Sequence, residues 1–318
     1  MTAIYNEYSN YLKEKYKCKV YKLPVNLPLT CPNRDGNLSF GGCTYCGVIG
    51  TGFEMHPCSM SVYDQLTKNM SYIRKKYKAE KFIAYFQNYS NTYLELDAFK
   101  QYISESLMDD IVGISISTRP DCLNEDYLGF LSELGKKHKL DITIELGLQT
   151  ANYKTLKRIN RGHTLAEFIE AVQMIKKHNL SICAHVILNL PWDDMEDTIE
   201  TAKILSALGM DFVKVHSLYI LKNTKMGDEF LKGTFQIITK EEYLLRLEAF
   251  LSYLSPDIVI QRLFGRAPEK DTLFSNWETS WWKLRDEFIA GMDNKNLYQG
   301  IYFDYLGGKA LKNMNKTN

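Results

Sequence analysis

The chain has 318 residues, 45% of them hydrophobic, enough to bury a sizeable core as one large domain or two small ones. Its 39 lysines and arginines balance 38 aspartates and glutamates, so no global field draws it to nucleic acid or membrane, and an acidic partner would need a local patch. No apolar run approaches a membrane span and no N-terminal hydrophobic segment reads as a signal peptide; a cytoplasmic location is expected, with the cysteines reduced.

Residues 1–22 read as a basic, aromatic extension in which Lys13, Lys15, Lys17, Lys19 and Lys22 interleave with Tyr11, Tyr16 and Tyr21. Lysines can meet phosphates and tyrosines can stack on bases, which suits RNA; a solvated terminal element is the commoner reading of such a run. Thr30 to Cys46, TCPNRDGNLSFGGCTYC, follows. Pro32-Asn33 and Asp35-Gly36 are turn pairs, and Gly41-Gly42 lets the backbone pass close to something bulky. Turn-rich backbone carrying Cys31, Cys43 and Cys46 is a poor way to build a core and a good way to wrap an inorganic centre. Two centres fit the spacing. Structural zinc wants four closed ligands, with His56 or Cys58 as the fourth; a cubic iron–sulfur cluster held by three thiolates keeps one iron open. Burial of the three as small hydrophobes is the remaining reading, and it is the one that suits Cys18, Cys58, Cys122 and Cys183.

Strand and helix signals then alternate. Ser61 to Lys78 carries Val62, Leu66, Met70, Ile73 and Tyr77 on one helical stripe. Strands are expected at 81–86, 111–117, 141–148, 181–190 and 212–221, with helices at 96–108, after Asn124, after Thr164, over 194–208 and from Thr239 to Leu254. Thr164 with Glu167 and Thr239 with Glu242 have capping-box spacing. Repeated β-α order argues for a mostly parallel sheet with helices outside, but pattern alone does not separate an open sheet from a barrel. Beyond Leu254, a short strand at 258–264 and the aromatics Trp277, Trp281 and Trp282 suggest an extension packed on the core, with a frayed lysine-rich end. In parallel α/β architectures ligands gather at the carboxyl ends of the strands. Gln87, Asn88, Ser117, Arg119, Gln149, His185 and Asn189 all fall there.

The cysteine loop, together with YFQNYSNTY (85–93), SISTRPD (115–121), ELGLQT (145–150) and NRGHT (160–164), resembles the radical S-adenosylmethionine (SAM) superfamily. Within it the match is to the branch around the Elongator catalytic subunit, and to that branch's small bacterial YhcC/YtqA-type members. The resemblance implies an α/β fold, a partial (β/α)6 TIM-like barrel over 23–255 with short N- and C-terminal extensions, 1–22 and 256–318. It implies a [4Fe–4S] cluster on Cys31, Cys43 and Cys46 as the catalytic metal centre, with SAM on its open iron. Tyr45 would lie beside the adenine, while Gln87 and Asn88 stand where the family has a Gly-Gly-Glu run contacting the methionine amino group. Ser117, Gln149 and His185 fall at ribose-side positions, Arg161 at the arginine that clamps the methionine carboxylate, and Arg119 joins the cofactor-binding set. Asn189-Leu190-Pro191-Trp192 replaces a glycine-containing turn, so Trp192 is expected to narrow the mouth.

A stand-alone member of this branch resembles a bacterial tRNA-modifying enzyme acting on a wobble-uridine side chain. The resemblance suggests conversion of 5-carboxymethylaminomethyl-uridine towards 5-aminomethyl-uridine, with tRNA as partner and flavodoxin or ferredoxin as electron donor. Tested against this are a radical SAM enzyme acting on a peptide or small molecule, and a non-catalytic zinc-containing RNA-binding module.

Overall fold

Every strand of the main sheet is a short run in which alternate side chains have opposite characters. In β4 (Asp141–Gln149), Ile142, Ile144, Leu146 and Leu148 are buried in the main core, while Thr143, Glu145, Gly147 and Gln149 share the other face. The same alternation separates Val213 and Val215 from Phe212, Lys214 and His216 in Phe212–His216. The apolar face needs helices over it; the polar face needs an enclosed lumen. The computed structural model, which describes residues 4–47, 55–268 and 270–314, provides both.

In chain order the elements are α1 (Tyr8–Tyr16), β1 (Val20–Val25), α2 (Val62–Tyr77), β2 (Lys81–Phe86), α3 (Leu96–Ser104), β3 (Ile111–Thr118), α4 (Glu125–His138), β4, α5 (Tyr153–Arg158), α6 (Leu165–Lys177), β5 (Ser181–Ile187), α7 (Met195–Ala207), β6 (Phe212–His216), β7 (Ile220–Leu221), α8 (Lys225–Leu231), α9 (Lys240–Tyr253), β8 (Val259–Arg262), β9 (Thr272–Phe274) and α10 (Trp281–Asn294). Seven strands pair in parallel in the order β1-β2-β3-β4-β5-β6-β8 and curl into a half-barrel. Thr164 and Glu167 close a full capping box at α6, and Thr239 caps α9 through the Glu242 N–H.

The seventh strand is an addition to the six expected. The short run near 258–264 joins the sheet as β8, with Lys214 in register with Arg262, instead of lying on the barrel as part of an extension. The run 212–221 is not one strand. Asn189 Oδ1 accepts the Leu218 N–H at 2.7 Å and Ser217 Oγ accepts from the Gly265 N–H at 2.9 Å, which draws the chain out of the sheet after His216. It resumes as β7, paired antiparallel with β9. In α10 it is Leu284, Phe288 and Met292 that enter the core, while Trp281 and Trp282 stay exposed and Trp277 donates to the Ile238 carbonyl at 2.9 Å. The lysine-rich end expected to fray instead forms a short helix over Lys309–Met314, and its last residues, 315–318, lie outside the described residues.

The N-terminal segment is not a loose extension. β1 begins at Val20, and α1 stoppers the N-terminal end of the barrel. Tyr8 and Tyr11 meet Phe212, the first residue of β6, edge-on at 5.5 and 5.4 Å. Lys15 pairs at 2.7 Å with Asp141, the first residue of β4. These lysines therefore sit at the opposite end from the cysteine loop, and Lys22 is turned into the lumen towards Glu145. No helix among the described residues is long and apolar enough to cross a membrane.

Candidate active site

The cysteine loop leaves β1 as a series of turns tied by its own backbone. Arg34 N–H reaches the Cys31 carbonyl at 2.7 Å, Gly42 N–H the Asn33 carbonyl at 2.8 Å, and Cys46 N–H the Cys43 carbonyl at 2.9 Å. Gly42 has φ +83°, and a Cβ there would come to 3.0 Å of the Arg34 side chain, so glycine is required. Two outside segments hold the loop: Thr44 N–H donates to the Ile159 carbonyl, and Met226 N–H to that of Thr44, each at 2.9 Å. The Arg34 guanidinium ties the exit, donating to the carbonyls of Cys46 and Gly47 at 2.7 and 2.5 Å.

All three thiols line one cleft of about 390 Å3 at the carboxyl ends of the strands. Cys43 is buried, with Asn33 Nδ2 at 3.7 Å and Arg161 Nη1 at 3.5 Å from its sulfur; Ser90 Oγ lies 3.9 Å from that of Cys31. Burial, then the neighbouring Cys43 thiol, raises the Cys46 pKa. A metal centre takes such thiols as thiolates, drawing off their protons on ligation. His56 and Cys58 do not line the cleft, Cys58 being exposed, so the fourth ligand of a closed zinc site is not supplied by either. The donor set fits a cluster held by three thiolates.

Opposite the thiols, Arg161 donates from Nε and Nη2 to the Gly147 carbonyl at 3.3 and 2.8 Å. Burial pulls its pKa down, but Cys43 and Tyr45 outweigh that and the net direction is up: the group is a fixed cation. Gly147 makes room, because a Cβ there would lie 2.5 Å from Arg161 Nη2 and 2.8 Å from Gln149 Nε2. Gln149 itself takes a left-handed φ of 76° next to a bulge in β4, a strained position of the kind that clusters at ligand sites. Arg119 is buried and spends its fork on Asp121, at 2.8 and 2.6 Å, and its Nη1 on the Arg161 carbonyl at 2.8 Å. That last bond ties Arg119 to the backbone of Arg161 on the cleft wall.

Below lies a charged lumen. Glu145 is 1% exposed and meets Lys22 through Oε1, and Lys214 at 2.5 Å and His185 Nε2 at 2.7 Å through Oε2. Burial opposes its ionisation, but Lys214 and Lys22 prevail and hold its carboxyl well below the usual range. Lys214 also donates to Tyr85 OH at 3.0 Å, which accepts from Ser117 Oγ at 3.1 Å. Arg262 Nη2 lies 2.6 Å from His216 Nδ1. Burial first, then Lys214, lowers the His185 pKa to about 4; burial and then Arg262 hold His216 well below its ordinary value, so both imidazoles are neutral at pH 7.

Of the expected residues, Cys31, Cys43, Cys46, Tyr45, Gln87, Ser117, Arg119, Gln149, Arg161 and His185 all line this cleft. Asn88 does not: it is buried with Nδ2 3.3 Å from Asn26 Oδ1. Asn189 is buried in the Leu218 turn, and Trp192 packs at 5.5 Å on Phe235 and under Arg158 at 4.3 Å, outside the cleft lining, so it does not narrow the mouth. Tyr85, Glu145, Lys214, His216 and Arg262 were not anticipated from the sequence. The signal was present for the first four, polar residues on the inward alternation of an apolar strand, where burial without a partner is costly; Arg262 shares the alternation of Ile260 and comes opposite Lys214 through a register shift between β6 and β8.

A parallel half-barrel with three thiols facing one cleft at its carboxyl-end mouth defines a radical SAM enzyme core. Residues 30–205 match the Radical SAM superfamily, and 210–293 its Radical_SAM C-terminal domain. The chain is 32% identical over 303 residues to YtqA of Bacillus subtilis, covering 95% of this chain and 94% of that one. Over 145 residues it is 28% identical to the tRNA uridine(34) acetyltransferase of Methanocaldococcus jannaschii, 45% of this chain and 26% of that protein. Its fold matches archaeal Elp3 from Methanocaldococcus infernus with a TM-score of 0.66 at 18% identity, covering 88% and 64% of the two chains. The chain belongs to the radical SAM superfamily, in the Elongator-like branch of YhcC/YtqA type, and uses a [4Fe–4S] cluster and SAM.

Proposed function

We propose that this enzyme modifies a wobble-uridine side chain in tRNA, taking 5-carboxymethylaminomethyl-uridine towards 5-aminomethyl-uridine. The observation that carries the reading is the kinship to a tRNA uridine(34) enzyme, in a chain whose thiol-lined cleft opens beside a basic and aromatic surface. Cys31, Cys43 and Cys46 would hold the cluster, which would supply the electron for reductive cleavage of SAM and so the radical chemistry of the reaction. Arg161, tied to Arg119 through its carbonyl, would meet the methionine carboxylate as a fixed cation. Gln87 offers an amide oxygen to the amino group, Tyr45 flanks the adenine, and Ser117, Gln149 and His185 serve the ribose.

RNA meets the protein on α5, whose last turn abuts the cysteine loop through Ile159. There Tyr153, Lys154, Lys157 and Arg158 are exposed around Trp192, whereas the N-terminal lysines lie at the far end of the barrel. Unpaired anticodon bases leave their stack at lower cost than paired ones, which suits delivery into a deep cleft. The test is anaerobic turnover with reductant, SAM and tRNA carrying the carboxymethylaminomethyl group. Formation of 5′-deoxyadenosine that rises with this tRNA, together with aminomethyl-uridine, is expected. Cleavage of SAM indifferent to RNA but stimulated by a peptide or metabolite would reject the reading.

A further inference from the structure

The cleft is lined by Arg34, Arg119, Arg161, Lys214, Arg262 and Arg266 against one carboxylate, Glu145. Four of these cations have internal acceptors. Arg34 is tied to loop carbonyls, Arg119 to Asp121, Arg161 to the Gly147 carbonyl and Lys214 to Glu145. Both oxygens of Glu145 are then used, because Lys22 takes Oε1 and Lys214 with His185 takes Oε2.

Of the other two, Arg266 has interactions of its own, and Arg262, the last residue of β8, is the one whose acceptors fall short. Among the described residues its hydrogen-bond partner is the neutral His216, no carboxylate pairs with it, and its buried Nε has no acceptor. Burial drives its pKa down; Tyr85, Tyr219 and Glu145 offset part of that and Arg266 adds to it, and the net direction is down. The residue is half-buried, but its Nε is enclosed, and an enclosed donor on a cation is costly without an acceptor. His216 cannot neutralise it, and it serves to hold the fork in one orientation. The acceptor must come from a ligand. A planar oxyanion matches a guanidinium edge best, and the methionine carboxylate of SAM has Arg161 beside the thiols.

We infer that Arg262, oriented by His216 and flanked by Lys214 and Arg266, is a subsite for a carboxylate carried by the substrate. The inference rests on the wobble-uridine reading only in that a carboxymethylaminomethyl side chain ends in such a carboxylate. A backbone phosphate is the poorer candidate, because it stays with the ribose while the base side chain enters the lumen. Arg262 is thus a specificity-determining residue: it tells a carboxylate-bearing side chain from a neutral one.

The test has two arms on the cluster-loaded enzyme. In the first, N-methylglycine and its amide are compared as probes by thermal melting. The acid should raise the melting temperature of the wild type, as binding to the native state does, while the amide should not, and Arg262→Gln should respond to neither. Absence of a carboxylate-dependent shift in the wild type overturns the subsite whatever the RNA substrate is. In the second arm, Arg262→Gln should lower kcat/KM on carboxymethylaminomethyl-uridine RNA by about ten- to a hundredfold, with SAM affinity kept. Arg262→Lys, which keeps the charge and loses the fork, should fall between. Loss of SAM affinity instead would assign Arg262 to the cofactor and overturn the proposal. A melting shift in a wild type that leaves this RNA unmodified would support the subsite and reject the wobble-uridine reading.

Discussion

At the N-terminal end of the barrel, Tyr8 and Tyr11 close over Phe212, Lys15 pairs with Asp141, and the contacts are aromatic or mutually neutralising. At the carboxyl end the strands and the loops that follow them carry the thiols, a strained Gln149, and buried atoms with no partner among the described residues, including Asn33 Oδ1, His163 Nε2 and Arg262 Nε. One end of each strand is spent on stability and the other on leaving groups unsatisfied for a ligand. Polar residues at the two ends of one strand therefore have different meanings: Asp141 is half of an ion pair, and Glu145 and Gln149 are parts of a site.

The sharpest break between the ends lies in the cysteines. Cys43→Ala should abolish the cluster, its colour and SAM cleavage altogether. Cys122→Ala should keep all three, since burial holds the Cys122 thiol up at about 12 and leaves it protonated. Iron and sulfide content with visible absorbance reads both. The opposite pattern is expected at the stoppered end. Phe212→Ala should cost about 3–5 kcal/mol of stability by opening a cavity under Tyr8 and Tyr11, measured by denaturant unfolding. Cleavage of SAM per cluster should be unchanged in that variant.

A smaller effect sharpens the cofactor half of the carboxyl end. Arg161→Lys should weaken SAM binding by about ten- to a hundredfold, as expected when a charge-assisted hydrogen bond is lost and an ammonium cannot reproduce the planar fork. Unchanged affinity with an intact cluster would remove Arg161 from the carboxylate clamp. The smallest effect separates the two basic surfaces. Neutralising Lys154, Lys157 and Arg158 should weaken tRNA binding and flatten its salt dependence. Neutralising Lys13 and Lys17 should do neither, and binding titrations at two salt concentrations distinguish them.

Much of the carboxyl end was legible in the sequence, because the thiols lie close together in one turn-rich loop and the polar residues end apolar strands. The lumen was not, for a physical reason. Glu145 and Lys214 sit mid-strand, and their meaning depends on register between strands distant in sequence. His185 opposite Lys214 and Lys214 opposite Arg262 are neighbours only once the sheet has formed. The placement of the lysine and tyrosine run at the N-terminus was not legible either: its composition suits RNA, but the rings of Tyr8 and Tyr11 dock on Phe212, at the end of the barrel away from the cysteine loop. Asn88 lies in the bend just after β2, where its amide meets Asn26 while Gln87 lines the cleft, and the direction of a side chain in a bend is not written in strand alternation.

The most direct test of the account is the wobble nucleoside itself, read by mass spectrometry in tRNA from cells with and without this gene. The account predicts that loss of the gene leaves 5-carboxymethylaminomethyl-uridine to accumulate at the expense of 5-aminomethyl-uridine and its derivatives, and that a Cys43→Ala copy fails to restore them. An identical nucleoside profile in both cells would contradict it.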